Sequence, residues 1–184
     1  ILSSLSCAAV SSIRVTGIHH EFSSIPGAKE DMTQLILNIK QLRLKSYSED
    51  PIRMRVNARG EGKVSAADIQ VPSQVEIINP ELHLLTLDSE DAAVEVEMTV
   101  QRGRGYSPAD ERGRLPIDEI PIDAIYSPIR RVRFDVERVR FGMERERYGS
   151  SADYDKLILG IWTDGTVNPD DALNEASGIL MKHF

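Results

Sequence analysis

The stretch Ala93–Gln101, AVEVEMTVQ, decides the fold. Val94, Val96, Met98 and Val100 alternate with Glu95, Glu97 and Thr99, the period of two that sends successive side chains to opposite faces of a strand. Apolar residues on one side and polar ones on the other predict a sheet with one face on a core and the other in water. The alternation recurs on both sides. Upstream, Val10, Ile13 and Val15 fall roughly at strand period, and Ile52, Met54 and Val56 alternate with Arg53, Arg55 and Asn57. Short strands are expected in QVEIINP (74–80) and LHLLTL (82–87), divided by Pro80. Downstream, Val132, Phe134 and Val136 alternate with Arg131, Arg133 and Asp135, and KLILGIW (156–162) runs to an Asp164-Gly165 turn.

Two segments change period. Met32, Leu35, Ile36, Ile39 and Leu42 recur at helical spacing after Pro26-Gly27, with Glu30 and Asp31 expected in the first turn, where the helix dipole favours acids. The last segment has Asn168 as N-cap, Pro169 at the first helical position and Asp170 and Asp171 behind it. Leu173, Ala176, Ile179 and Leu180 form its apolar face, which either covers the sheet or packs on a second copy. Residues 1–5 read as the tail of a helix whose front lies upstream. Prolines and glycines break the pattern from Arg102 to Pro128, which is expected to be a long loop, and RERYGSSADY (145–154) reads as a hairpin loop. The expected class is α+β, mostly antiparallel sheet with amphipathic helices.

Composition bounds the function. The 184 residues are 41% hydrophobic and carry a net charge of −7, enough apolar material for a core and the wrong overall sign for a nucleic-acid binder. The window Arg102–Arg145 holds ten arginines against eight acids, so an arginine-based nucleic-acid module is a second reading with little net charge behind it. The RGRG stretch after the central strand occurs once and is not interleaved with aromatics, unlike repeated arginine-glycine tracts. Its arginines are expected to pair with local acids. Cys7 is the single cysteine, which rules out an internal disulfide and suits a reducing, cytoplasmic setting. No apolar run approaches the roughly 20 residues of a membrane span.

Catalytic patterns are weak. Adjacent His19 and His20 on a strand would point apart, and His83, His183 and Cys7 are not at ligand spacing, so no metal or other cofactor is expected. A hydrolase built on Asp118, Glu119 and Asp123 lacks a partner base; these acids read as solvated loop carboxylates. Neither a nucleophile elbow nor a phosphate-binding glycine loop is present, and no catalytic residue is assigned.

Eight segments, in this order, carry a resemblance: HEFSSIPGAKED (20–31), LILNIKQL (35–42), SAADI (65–69), VEIINPELHLLTL (75–87), MTVQRGRGYSPAD (98–110), IPIDAIYSPIRRV (120–132), DYDKLILGIWTDGT (153–166) and NPDDAL (168–173). Together the chain resembles the N-terminal domain of the bacterial-type RNA polymerase alpha subunit. The resemblance implies a dimerisation domain, residues 1–6 plus 129–184, interrupted by a β-rich insert domain, residues 7–128. It implies a non-catalytic scaffold that forms a homodimer and gathers the beta and beta-prime subunits, with no direct nucleic-acid contact and no membrane. By position, it links Leu2 to beta binding and Lys40 to beta-prime. Ile122 and Asp123 match the other large-subunit contact, and Leu173, Ala176, Ile179 and Leu180 the dimer interface. It further implies that a strand and most of a first helix precede Ile1, and that the residues around Glu144–Ser151 lengthen the family's usual connection.

Overall fold

The computed structural model describes residues 3–111, 116, 118–139 and 154–184. Leu2, the Glu144–Ser151 segment and much of the expected hairpin loop lie outside the described residues.

The central strand is as its alternation predicts but longer. Strand β1 (Ser6–Val15) precedes helix α1 (Met32–Ile39), β2 (Leu44–Ser46), β3 (Ile52–Arg59), β4 (Gly62–Ser65), β5 (Val75–Ile77), β6 (His83–Leu87) and β7 (Ala93–Arg104). Strand β7 pairs antiparallel with β3 on one side and β1 on the other, in the sheet order β3-β7-β1-β2-β5. Partnership with β1 carries β7 through the expected break: Arg102 faces Ala8, Gly103 faces Cys7 and Arg104 faces Ser6. A local glycine signal has yielded here to a long-range ladder.

The expected loop between Arg102 and Pro128 contains three more short strands, β8 (Tyr106–Ser107), β9 (Ile120–Pro121) and β10 (Ala124–Ile125). Strand β10 pairs with β8, and β9 joins β1 where the register of β1 slips between Val10 and Ser12. Ser11, at that bulge, accepts from the Ile122 amide with its carbonyl at 2.9 Å and donates its hydroxyl to the Thr99 carbonyl at 3.1 Å. An extra residue that frees a backbone carbonyl to take a new partner is a recurrent use of a bulge.

Helix α1 lays Met32, Leu35 and Ile39 into the main core beside Met54, Val56, Leu85, Met98 and Val100. Its acids differ from expectation. Asp31 is the N-cap and accepts from the Gln34 amide at 2.7 Å. Glu30 lies before the helix and reaches β6, accepting from the Thr86 amide at 2.6 Å and from His83 Nε2 at 2.9 Å. Leu42 is buried but lies past the helix end.

A second, smaller core joins Leu5 and Ile129 to Ala172 and Ala176, with Val132, Ile161, Val167 and Ile179 around it. It lies between the hairpin of β11 (Ile129–Val139) and β12 (Tyr154–Thr163) and helix α2 (Pro169–His183). Residues 3–5 form a turn rather than the expected helix tail, and Leu5 enters this core. Asn168 has N-cap backbone geometry and accepts from the Ala172 amide with its carbonyl, but its side chain makes no cap bond. The class is α+β, as read from the sequence.

Candidate subunit-contact surfaces

Two groups of expected contact residues come together in space. The first is at the end of α1. Lys40 follows the last helical residue and Asp123 lies between β9 and β10. They are 83 residues apart, yet Lys40 Nζ donates to Asp123 Oδ2 at 3.1 Å. Asp123 Oδ1 accepts from the Ala109 amide at 2.9 Å, and the Tyr106 hydroxyl bonds to the same carboxylate. The Ala109 amide and Lys40 hold this carboxyl below the usual aspartate range, against a smaller opposing effect of burial. One ionised side chain therefore ties the end of α1 to the segment after β8. Ile122 sits in the main core, only 2% exposed. Its neighbours, rather than its side chain, form the surface.

The second group is α2 with the hairpin. Ala172, Ala176 and Ile179 follow one another at helical spacing and face the smaller core. Ala172 was missed by the sequence reading, although it stands four residues before Ala176; its small size hid it. Ala176 is buried, whereas Leu180, Met181 and Phe184 remain exposed. The hairpin repeats this division. Val132–Ile161, Phe134–Leu159 and Val136–Leu157 are cross-strand pairs on one face. Val132 and Ile161 pack on the smaller core, while Phe134 (72%) and Leu157 (60%) are open. The alternation in β11 predicts a buried face; only its first part is buried within this chain.

The groups considered for chemistry disperse. Asp118 accepts from His19 Nδ1 at 2.6 Å. Glu119 accepts from the hydroxyls of Ser12 at 2.5 Å and Thr99 at 2.9 Å. With Asp123 on Lys40, the three carboxylates serve three separate sets of partners, and Glu119 and Asp123 are anchored rather than freely solvated. His20 bonds to Ser23. Among the described residues no group of three or more His, Cys, Asp or Glu side chains is placed to hold a metal ion. Arg102 pairs with Glu49, distant in sequence rather than local, and Arg131 lies over the Trp162 ring at 5.1 Å.

Residues 13–127, well over half of the chain, match the family model described as the RNA polymerase Rpb3/RpoA insert domain. The chain belongs to this family. Similarity to proteins named DNA-directed RNA polymerase subunit alpha extends beyond the insert-domain match. Over 183 aligned residues, all of this chain, it is 50% identical to the DNA-directed RNA polymerase subunit alpha of Roseiflexus sp. strain RS-1, spanning 54% of that protein. The Herpetosiphon aurantiacus alpha subunit is 48% identical over 183 residues (53% of its length), and the Bacillus velezensis one 48% over 186 residues (57%). The chain thus spans about half the length of the curated relatives it matches. In the Rpb3/RpoA frame, β11, β12 and α2 fall outside the insert-domain match but inside the alignment to the alpha subunits. No helix among the described residues is long and apolar enough to cross a membrane.

Proposed function

We propose that this chain is an assembly platform of DNA-directed RNA polymerase, contributing surfaces rather than catalytic groups. The observation that carries this reading is the whole-chain alignment, at 50% identity, to proteins named DNA-directed RNA polymerase subunit alpha. Residues 7–128 are the insert domain, and residues 1–6 with 129–184 belong to a dimerisation domain. The separation of the two apolar clusters supports that division. The partners are a second copy of the chain and the beta and beta-prime subunits, in the cytoplasm.

The dimer contact is assigned to the outward side of α2. Leu180 is exposed and Leu173 half-buried there, and Ile179 and Ala176, which pack on the smaller core, back the same contact from inside. The open hairpin residues Phe134 and Leu157 add apolar surface nearby in the same lobe. Apolar area removed from water contributes about 25 cal/mol per Å² before the costs of association. Leu2, Lys40 and Asp123 are assigned to large-subunit contacts, with Ile122 supporting Asp123 from inside the core.

The test is size-exclusion chromatography with light scattering on the chain mixed with purified beta subunit. A complex holding two copies of the chain and one beta subunit is expected. A chain that associates neither with itself nor with beta overturns the proposal.

A further inference from the structure

Strands β3 and β4 follow one another across the short turn at Gly60 and Glu61, yet they do not pair. One edge of β3 is bonded to β7 and one edge of β4 to β6. Between β3 and β4 lies a cleft of about 280 Å³. The hydrogen bonds around it show which main-chain groups point inward. On the outer side of β3, Gln70 donates its amide to the Arg55 carbonyl at 2.7 Å and accepts from the Arg55 amide at 3.4 Å. The alternation of a strand then turns the main-chain groups of Asn57 and Arg59 to that same side. On β6, Thr86 gives its carbonyl to the Lys29 amide and its own amide to Glu30, so it faces away from β4. Lys63, its register partner, therefore faces away from β6. Asn57, Arg59 and Lys63 all line the cleft. Among the described residues, these edge amides and carbonyls have no hydrogen-bond partner. Ala58, Val64 and Leu87 supply an apolar floor from the core side.

We infer that this cleft is a slot for one extended segment of a partner polypeptide, which enters as a strand and bonds to β3 and β4 together. Strand addition to an unpaired edge draws its affinity from main-chain hydrogen bonds. The two walls also define the occupant, because a strand between them needs both of its own edges free. Strand β3 of a second copy does not qualify, since β7 holds one of its edges, and β7 and β1 are paired on both sides. An isolated extended segment, a tail or a linker, does qualify. Charge does not choose it: Arg59 and Lys63 at the rim are balanced by Glu61 and Asp68. Selection rests on the backbone and on a small apolar side chain set against Ala58, Val64 and Leu87. At roughly 3.3 Å per residue, the stretch from Asn57 to Arg59 reads about 10 Å of the guest.

The experiment selects a displayed library of short random peptides on the folded chain and measures the affinity of the selected peptides by fluorescence anisotropy. Peptides that compete for one site are expected. Asn57→Pro removes an outward amide at a position where an edge strand tolerates proline, and a thermal melt establishes that it folds. It is expected to weaken binding by about tenfold or more. A second comparison alters only the guest, by N-methylation of either of two successive central amides. Successive amides point to opposite walls, so each methyl group is expected to cost about tenfold or more. If only one of them matters, the guest pairs with a single edge and the slot is wrong. Hydrogen exchange locates the site: the amides of Asn57, Arg59 and Lys63 should exchange fast in the free chain and become protected with peptide bound. Protection in the free chain would mean that the edges are already paired, and the proposal falls. It falls equally if no peptide is selected, or if the selected peptides bind Asn57→Pro as well as the parent. Should Asn57→Pro fail to fold, the methylated peptides and the exchange of these amides decide the matter.

Discussion

The ring of Tyr126 lies across Gly103 so closely that a β-carbon added to the glycine would sit 2.6 Å from a ring carbon. Tyr126 is buried, and Gly103 is paired with Cys7 in the main sheet. The glycine is thus a place where a side chain and a backbone must touch, and the arginines beside it belong to a strand. Gly103→Ala is expected to cost about 1–3 kcal/mol, the usual range for overpacking, read as a lower urea midpoint with an unchanged m-value.

On the wet face of the sheet the register sets Arg14, Glu97 and Arg55 in one row, and Arg53 reaches the same carboxylate at 3.5 Å. Burial pushes the Glu97 carboxyl up, but the Arg55 hydrogen bond and the charges of Arg14, Arg53 and Arg55 outweigh it and hold it below the usual range. A carboxyl lowered in the folded state stabilises above its unfolded value of about 4.3, and this stability is lost as pH falls through the folded value. The arginines are half exposed, so solvent screens the effect. Glu97→Gln is expected to cost about 1–2 kcal/mol at pH 7. Urea titrations of parent and variant from pH 7 to pH 3 should converge at the acid end; a gap that persists there would refute the ion-pair account.

Helix α1 has one side-chain cap bond at its start, in which the Gln34 amide donates to Asp31 Oδ1. Asp31→Ala is expected to destabilise by about 1 kcal/mol and Asp31→Asn by much less, because asparagine caps nearly as well. Equal losses in thermal melts of the two variants would mean that the charge, not the cap, matters.

Two neighbouring positions on α2 would separate folding from the proposed self-association. Ala176 is buried in the smaller core, so Ala176→Glu should lower the melting temperature of the chain itself. Leu180 is 59% exposed. Leu180→Glu should leave the monomer's melting temperature nearly unchanged while shifting light scattering from dimer to monomer. A dimer that persists in Leu180→Glu would move the contact off this face.

Burial raises the pKa of the Cys7 thiol, with a hydrogen bond to Thr166 opposing it. Because the thiolate is the reacting form, reaction with a disulfide reagent at pH 8 should be slow in the native chain and fast in urea. Equal rates would show that the start of β1 opens readily.

Much of this fold is legible in the sequence where one side chain repeats the message of the next. The apolar alternation of Val94, Val96, Met98 and Val100 names both the strand and its buried face, and the spacing of Met32, Leu35 and Ile39 does the same for α1. What escapes is whatever a distant partner decides. Nothing near Gly103 says that β1 will carry β7 past it. Glu30 reads as a helix-dipole acid until β6 supplies Thr86 and His83. Phe134 alternates like a core residue and is open, because alternation records that a face is apolar without saying which molecule covers it. The Lys40–Asp123 pair was reached only as two separate expectations, since 83 residues divide its members.

The chain changes cores twice over short distances. Leu5 belongs to the smaller cluster and Ala8 to the larger, and Ile122 lies in the larger while Ile129 lies in the smaller. The two buried clusters are therefore distinct, and the Cys7–Thr166 hydrogen bond lies where they meet. The smaller lobe rests largely on Leu5, Ile129, Ala172 and Ala176, so it should behave as a separate unit of local opening. In hydrogen exchange the amides of β11, β12 and α2 would lose protection together and early, while those of α1 and β7 hold until the whole chain unfolds. Whatever binds the smaller lobe would then also act as its scaffold, making assembly and the completion of folding a single event.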